Sequence, residues 1–192
     1  MDKIKKIILV LGGPGCGKST VCNLLAQKYG FTHIPLGQIL MNEIDKGTEI
    51  GNIISKHIKS AVIIPPKITY DVFINEIMKY ENDIYLIDGY PRNNANNEYL
   101  INNLPTNIKI IKLLYLKCDA KTMEERLYTR KQMTDRIDND IDIIKKRIIS
   151  FFQQTLPVIE SYNKQVITID CNDTIDNIIN NIQKEIEKYC II

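Results

Sequence analysis

Nine residues near the amino terminus, Gly12-Gly13-Pro14-Gly15-Cys16-Gly17-Lys18-Ser19-Thr20, combine the residue types that wrap an anion. Gly12, Gly17, Lys18 and Ser19 fit the phosphate-loop spacing G-x-x-x-x-G-K-[ST]. The glycines let the backbone curl so that its N–H groups point inward, and the helix that follows adds its positive end. Gly13, Pro14, Gly15 and Cys16 complete the cradle. Lys18 is a point charge for terminal phosphates, and the hydroxyl of Ser19 or Thr20 can face a hydrated Mg²⁺. Cys16 lies inside the loop, which places a thiol open to alkylation where a bound phosphate would shield it. A second set begins at Asp88, which ends the apolar run Ile84-Tyr85-Leu86-Ile87 and is followed by Gly89-Tyr90-Pro91-Arg92. An acid at the carboxyl end of a parallel strand, near a phosphate loop, orients Mg²⁺-bound water. A third set is Arg126, Arg130, Arg136 and Arg147, which bracket a polar link over 131–136. Arg126 and Arg130 are four apart and share a helix face. If the link folds over the phosphate loop, the guanidinium groups converge on one site, as phosphoryl transfer requires.

The elements that position these residues are read from periodicity. The run over 7–11 is a buried strand, and Val21, Leu24 and Leu25 open a helix behind the glycine loop. A short strand over 31–35 ends at Pro35, and helices follow from Gly37 to about 46 and again after the break at Gly47-Thr48-Glu49. Pro65-Pro66 opens a helix with an apolar stripe at Ile68, Val72, Phe73 and Ile77. Strands over 84–88 and 108–117 precede a helix over about 120–130. A long helix is expected over about 140–162, with Pro157 kinking it or ending its first piece. A strand over 165–170 and a helix over about 174–189 close the chain. His33 and His57 read as packing residues. Strands alternating with helices predict an α/β fold, a parallel sheet with helices on both faces. The segment over 37–67 holds only helices and is expected to stand off the sheet as a mobile lobe.

The 192 residues suit one domain with a sizeable core. Lys and Arg number 25 against 23 Asp and Glu, so the net charge of +2 gives no bulk attraction to nucleic acid or a membrane. Polyphosphate chemistry must therefore rest on local arginines. The run over 7–11 is short and ends in the glycine loop, so it reads as a strand rather than a leader, and no segment is long enough to span a bilayer. The five cysteines, Cys16, Cys22, Cys118, Cys171 and Cys190, are scattered without zinc spacing. Reduced thiols in a cytoplasmic protein are expected.

Taken together, the motifs resemble the nucleoside monophosphate kinases, the UMP/CMP kinase and adenylate kinase family, over nearly the whole chain. The resemblance is carried by GGPGCGKST at 12–20, Ile63-Ile64-Pro65 through Ile68-Thr69, LIDGYPRN at 86–93, the Arg126, Arg130 and Arg136 link, and Leu156-Pro157-Val158-Ile159. It implies a P-loop kinase fold with a five-stranded parallel sheet, in one domain. The core would be 1–30, 68–129 and 140–192, with a monophosphate-binding lobe at about 31–67 and a short, zinc-free lid at about 130–139. It implies ATP and Mg²⁺ as donor and cofactor, and a monomer acting on small nucleotides. Lys18 would bridge donor and acceptor phosphates, Arg92 would hold the acceptor phosphate, and Arg126 would stack on the donor adenine. Arg130, Arg136 and Arg147 would clamp the transferred group, and Asp88 would organise Mg²⁺. Leu36, Gly37, Met41, Ile63, Ile64 and Gly89 would line the acceptor site.

Four residues after Arg92, the family's adenylate kinases carry Gln and its UMP/CMP kinases carry Asn. The residue here is Asn96, whose amide can serve both cytosine and uracil edges. The chain departs from its relatives at several points. Met41 stands where the family has a phosphate-gripping arginine, Leu36 replaces a small residue, and Ala61 and Asp135 replace glycines. Ser19 also replaces a glycine, and Asn139 replaces the second lid aspartate that follows Asp138. The expected activity is UMP/CMP kinase. An adenylate kinase is the near alternative, and a weakly active nucleotide-binding regulatory homologue, motivated by Met41, is the more distant one.

Overall fold

The run Ile7-Ile8-Leu9-Val10-Leu11 is apolar without alternation, the pattern of a strand covered on both faces. It forms the middle of β1 (Lys5–Gly12), with Ile7, Leu9 and Val10 fully buried. A computed structural model of the chain describes residues 4–133 and 140–188. The other strands are β2 (Thr32–Pro35), β3 (Ile84–Asp88), β4 (Ile108–Lys117) and β5 (Val166–Asp170). They form one sheet in the order β2-β3-β1-β4-β5, with every pairing parallel. This is the five-stranded parallel sheet expected. The register sets Val10 of β1 and Pro35 of β2 opposite Asp88 of β3. Gly89 N–H donates to the Val10 carbonyl at 3.0 Å, so the phosphate loop and Asp88 leave the sheet side by side.

The connections are α1 (Lys18–Tyr29), α2 (Leu36–Asp45), α3 (Glu49–Lys59), α4 (Pro66–Ile77), α5 (Asn94–Asn103), α6 (Ala120–Met133), α7 (Ile141–Ser150), α8 (Leu156–Ser161) and α9 (Ile175–Lys188). Pro66 opens α4, where its missing N–H has no helical partner to lose. Thr48 caps α3 by accepting from Gly51 N–H at 3.0 Å. Gly51 is also where α3 crosses α2: a Cβ there would stand 2.3 Å from the Glu43 carbonyl oxygen, so only glycine admits the crossing.

Two elements differ from the sequence expectation. The helix after β4 does not end near 130 but continues as α6 to Met133. The long helix over 140–162 is α7, a π-helical turn over Phe151–Thr155, and α8. The irregularity precedes Pro157 instead of falling on it. Leu156 N–H reaches back five residues to the Phe151 carbonyl, and Pro157 then lies in the first turn of α8, where no donor is needed. Residues 134–139 and 189–192 lie outside the described residues. They include Asp135, Arg136, Asp138, Asn139 and Cys190, most of the expected lid and the expected end of the last helix at Tyr189. Among the described residues, no helix is long and apolar enough to cross a membrane.

Candidate active site

The loop between β1 and α1 is shaped by where a Cβ cannot go. Gly17 caps α1 at φ 92°, a left-handed conformation that glycine adopts without strain. A Cβ on Gly13 would meet Met123 of α6 at 2.2 Å, so this helix forms the floor of the loop. The result is a tight backbone cradle at the positive end of α1, the form that suits a phosphate chain. Lys18 Nζ folds back over the loop and donates to the carbonyls of Gly12 at 2.9 Å and Gly13 at 2.7 Å, with Cys16 Sγ at 3.6 Å. Cys16 itself is buried to 1% exposure, which weighs against rapid alkylation of its thiol.

Asp88 is buried at the end of β3. Its Oδ2 accepts from Ser19 Oγ at 2.5 Å and faces His33 Nε2 at 3.2 Å. Burial pushes the Asp88 carboxyl up, but the His33 contact, the Lys18 charge and the Ser19 hydroxyl outweigh it and hold it below the ordinary carboxylate value. An ionised carboxylate beside a serine hydroxyl is a hard oxygen pair, the donor chemistry that suits a hydrated Mg²⁺. His33 Nδ1 lies 2.8 Å from Asn23 Oδ1, so this histidine is polar and bonded at both nitrogens. Spacing along the chain alone reads it as a packing residue. The contact depends on the pairing of β2 with β3, which periodicity does not reveal.

Next to the loop is a cavity whose lining includes Lys18, Gly89, Arg92, Asn96, Leu36, Gly37, Met41, Ile63, Ile64 and Arg147 of α7. These residues, dispersed over more than a hundred positions, are the expected acceptor-site set except Arg136. Arg92 Nε donates to the Gly89 carbonyl at 2.9 Å, and the Arg92 carbonyl accepts from Thr155 Oγ1 at 2.7 Å. Thr155 therefore ties the π turn to Arg92. Asn93 caps α5, accepting from Asn96 N–H at 2.8 Å, and this turn places the Asn96 amide on the cavity wall. Asn96 Oδ1 accepts from Arg92 N–H at 3.4 Å, while its buried Nδ2 has no hydrogen-bond partner.

Arg126 and Arg130 stand outside the cavity lining. Arg126 is on α6 and donates to the Asp173 carbonyl at 3.4 Å. Arg130 is one turn further along α6, and neither lines the cavity. Both belong to α6, the helix that floors the phosphate loop. The sequence reading missed Leu40, Ile58, Val62, Thr69, Tyr90, Ser150, Phe151 and Thr155, which also line the cavity. Thr69 and Tyr90 lie inside the quoted motifs without being singled out, and the others carry only ordinary amphipathic spacing, which marks burial and not a site.

The family model for adenylate kinase matches residues 10–167. The chain is 37% identical over 190 residues to "UMP-CMP kinase 3" of Oryza sativa subsp. japonica, covering 98% of this chain and 89% of that protein. It is 39% identical over 156 residues to "UMP-CMP kinase 3" of Arabidopsis thaliana, covering 81% and 75%. It is 32% identical over 189 residues to "Adenylate kinase isoenzyme 1" of Rattus norvegicus, covering 94% and 95%. The chain belongs to the adenylate kinase family. It is a nucleoside monophosphate kinase, a phosphotransferase built on the P-loop fold.

Proposed function

We propose that the chain transfers the γ-phosphoryl group of ATP to a pyrimidine nucleoside monophosphate, CMP or UMP. The observation that carries the choice of base is Asn96, buried to 1% exposure on the cavity wall with its Nδ2 lacking a partner. An unmet buried donor costs about 1–3 kcal/mol, and a base acceptor atom removes that cost. Cytosine N3 and O2, uracil O2 and O4, and adenine N1 are all such acceptors, so the length of the side chain decides between them. The short side chain suits a single-ring base, and the similarity to proteins named UMP-CMP kinases points the same way.

Lys18 turns from the Gly12 and Gly13 carbonyls onto the phosphates of ATP. Arg92 and Arg147 hold the acceptor phosphate and the transferred group, and Arg136 joins them from the lid. Arg126 stacks on the donor adenine, with Arg130 at the donor phosphates. Asp88 and Ser19, with Thr20 beside it, would hold hydrated Mg²⁺. When bound, that ion neutralises donor-phosphate charge. The attacking atom is a phosphate oxygen, so in-line transfer needs no general base and no covalent enzyme intermediate. The lobe at 31–67 excludes water by closing on the core at 1–30, 68–129 and 140–192, and the lid assigned to 130–139 lies mostly outside the described residues. The protein works as a monomer in the cytoplasm. Its four described cysteines are free thiols, in keeping with a reducing compartment.

The test is ADP formation from ATP and Mg²⁺ with CMP, UMP, dCMP and AMP as acceptors. The expected result is kcat/KM for CMP and UMP at least about tenfold above AMP, the range that loss of one fitted contact produces. A preference for AMP overturns the choice of base. ATP binding without monophosphate-dependent ADP formation overturns the activity in favour of a regulatory homologue.

A further inference from the structure

We propose that Cys22, His33 and Asp88 form a binding site for a thiophilic divalent cation of the Zn²⁺ class, separate in chemistry from the oxygen site for Mg²⁺. One ligand atom from each, the Cys22 sulfur, a His33 ring nitrogen and an Asp88 carboxylate oxygen, lie within 4.8 Å of one another. Metal–ligand bonds of about 2.0–2.3 Å set neighbouring ligands of a tetrahedral ion roughly 3.2–3.8 Å apart. The His33 to Asp88 edge is already 3.2 Å, so closing the site requires shifts on the order of an ångström.

The cluster is built by three elements. Cys22 and Ser19 are three apart on α1 and face the same way, His33 comes from β2, and Asp88 ends β3. Cys22 is fully buried, so its position is fixed by the core. The side-chain Oδ1 of Asn23, 2.8 Å from His33 Nδ1, accepts a hydrogen bond from an N–H there and turns Nε2 toward Asp88. A hydrogen-bonded Nδ1 with an inward Nε2 is the arrangement of a metal-ligating histidine oriented by an outer partner. One sulfur, one imidazole nitrogen and one carboxylate oxygen suit a borderline-soft ion, whereas Mg²⁺ takes oxygen. The fourth position falls to water on the Ser19 side. Burial keeps the Cys22 thiol protonated, so binding releases its proton to solvent as the sulfur–metal bond forms.

The site shares Asp88 with Ser19, which gives it a regulatory consequence that rests on the kinase reading above. An ion bound here holds Asp88 toward Cys22 and His33 and withdraws it from the Mg²⁺ water network, so transfer slows.

The experiment is titration of the full chain with Co²⁺, followed by absorption. One equivalent is expected to give intense tetrahedral visible bands and a sulfur-to-cobalt charge-transfer band, both abolished by an equivalent of Zn²⁺. Cys22→Ala loses the charge-transfer band. Asn23→Ala keeps the band but weakens Co²⁺ binding by about ten- to a hundredfold, the usual effect of removing an outer partner. A charge-transfer band that persists in Cys22→Ala assigns the ion to another thiol and overturns the proposal, as does a weak octahedral spectrum in the wild type. If Cys22→Ala does not fold, His33→Gln decides, since it removes a ligand while retaining hydrogen-bonding capacity; unchanged Co²⁺ affinity and bands overturn the proposal. These readings need no turnover, so their failure is distinct from failure of the kinase assignment. In the kinetic arm, added Zn²⁺ slows ADP formation by wild type and leaves Cys22→Ala unaffected. Equal slowing of both proteins overturns the regulatory consequence.

Discussion

Met41→Arg is the most informative single change in the acceptor site. Met41 lies on α2 one turn beyond Gly37, about 6 Å along the helix axis, and both residues line the cavity. A Cβ built on Gly37 would stand 3.8 Å from Arg92 Nη2. Helical side chains lean toward the amino terminus, so an arginine introduced at position 41 extends back over Gly37 toward the Arg92 guanidinium. A phosphate held by Arg92 then gains a second bidentate partner. A charge-assisted contact contributes about 1.5–3 kcal/mol, roughly ten- to a hundredfold in binding. Two guanidinium charges about 7 Å apart repel by about 0.6 kcal/mol in water-like surroundings, which raises the empty protein slightly and is relieved when the phosphate dianion binds. The acceptor KM should therefore fall about ten- to a hundredfold, with the ATP KM nearly unchanged. Steady-state kinetics on both proteins, varying CMP and UMP at saturating ATP, measures this. An unchanged or raised acceptor KM in a protein that melts like the wild type refutes the reasoning: the phosphate would then not sit between Arg92 and α2.

Three other changes probe the remaining parts. Asn96→Gln lengthens the amide that faces the cavity and should move the AMP to CMP efficiency ratio toward AMP by about tenfold, measured by competing the two acceptors; an unchanged ratio removes Asn96 from base recognition. Gly51→Ala places a Cβ 2.3 Å from the Glu43 carbonyl, and the forced separation of α2 and α3 should cost about 1–3 kcal/mol despite the better helix propensity of alanine, so a thermal melt that is unchanged or higher would show that the crossing is not tight. Burial raises the Cys22 thiol, and pushes Cys118 up to about 11 and Cys171 to about 12, while Cys16 is buried under Lys18. At pH 8, well below the values of Cys118 and Cys171, those two stay in the thiol form. In a Cys190→Ser protein, Ellman's reagent should therefore react slowly with or without ATP and rapidly once urea is added; fast native labelling of any of these four would contradict the burial.

Much of the donor side was legible in the chain itself, because its contacts are local. A glycine at the αL cap of α1, a lysine one residue on and a hydroxyl after it are set by a single turn of backbone, so the phosphate loop follows from nine consecutive residues. The apolar strands β1 and β3 were legible because burial on both faces leaves no polar alternation. The acidic residue after β3 and the Arg92-to-Asn96 spacing were equally local. Register and packing decided the rest. His33 reads as a packing residue along the chain and becomes a polar partner only when β2 pairs with β3 and sets Pro35 opposite Asp88. The π turn over Phe151–Thr155 and its Thr155 bond to Arg92 arise between residues 63 positions apart, where no sequence period carries a signal. Cys16 shows the same division. Its place in the loop is local, but its burial comes from the packing of the loop against Leu116 and α6, and that packing decides whether the thiol can react. Short-range backbone geometry is encoded by residue type at fixed spacing, whereas the meeting of distant side chains depends on how strands register and helices cross, which the sequence specifies only through the whole fold.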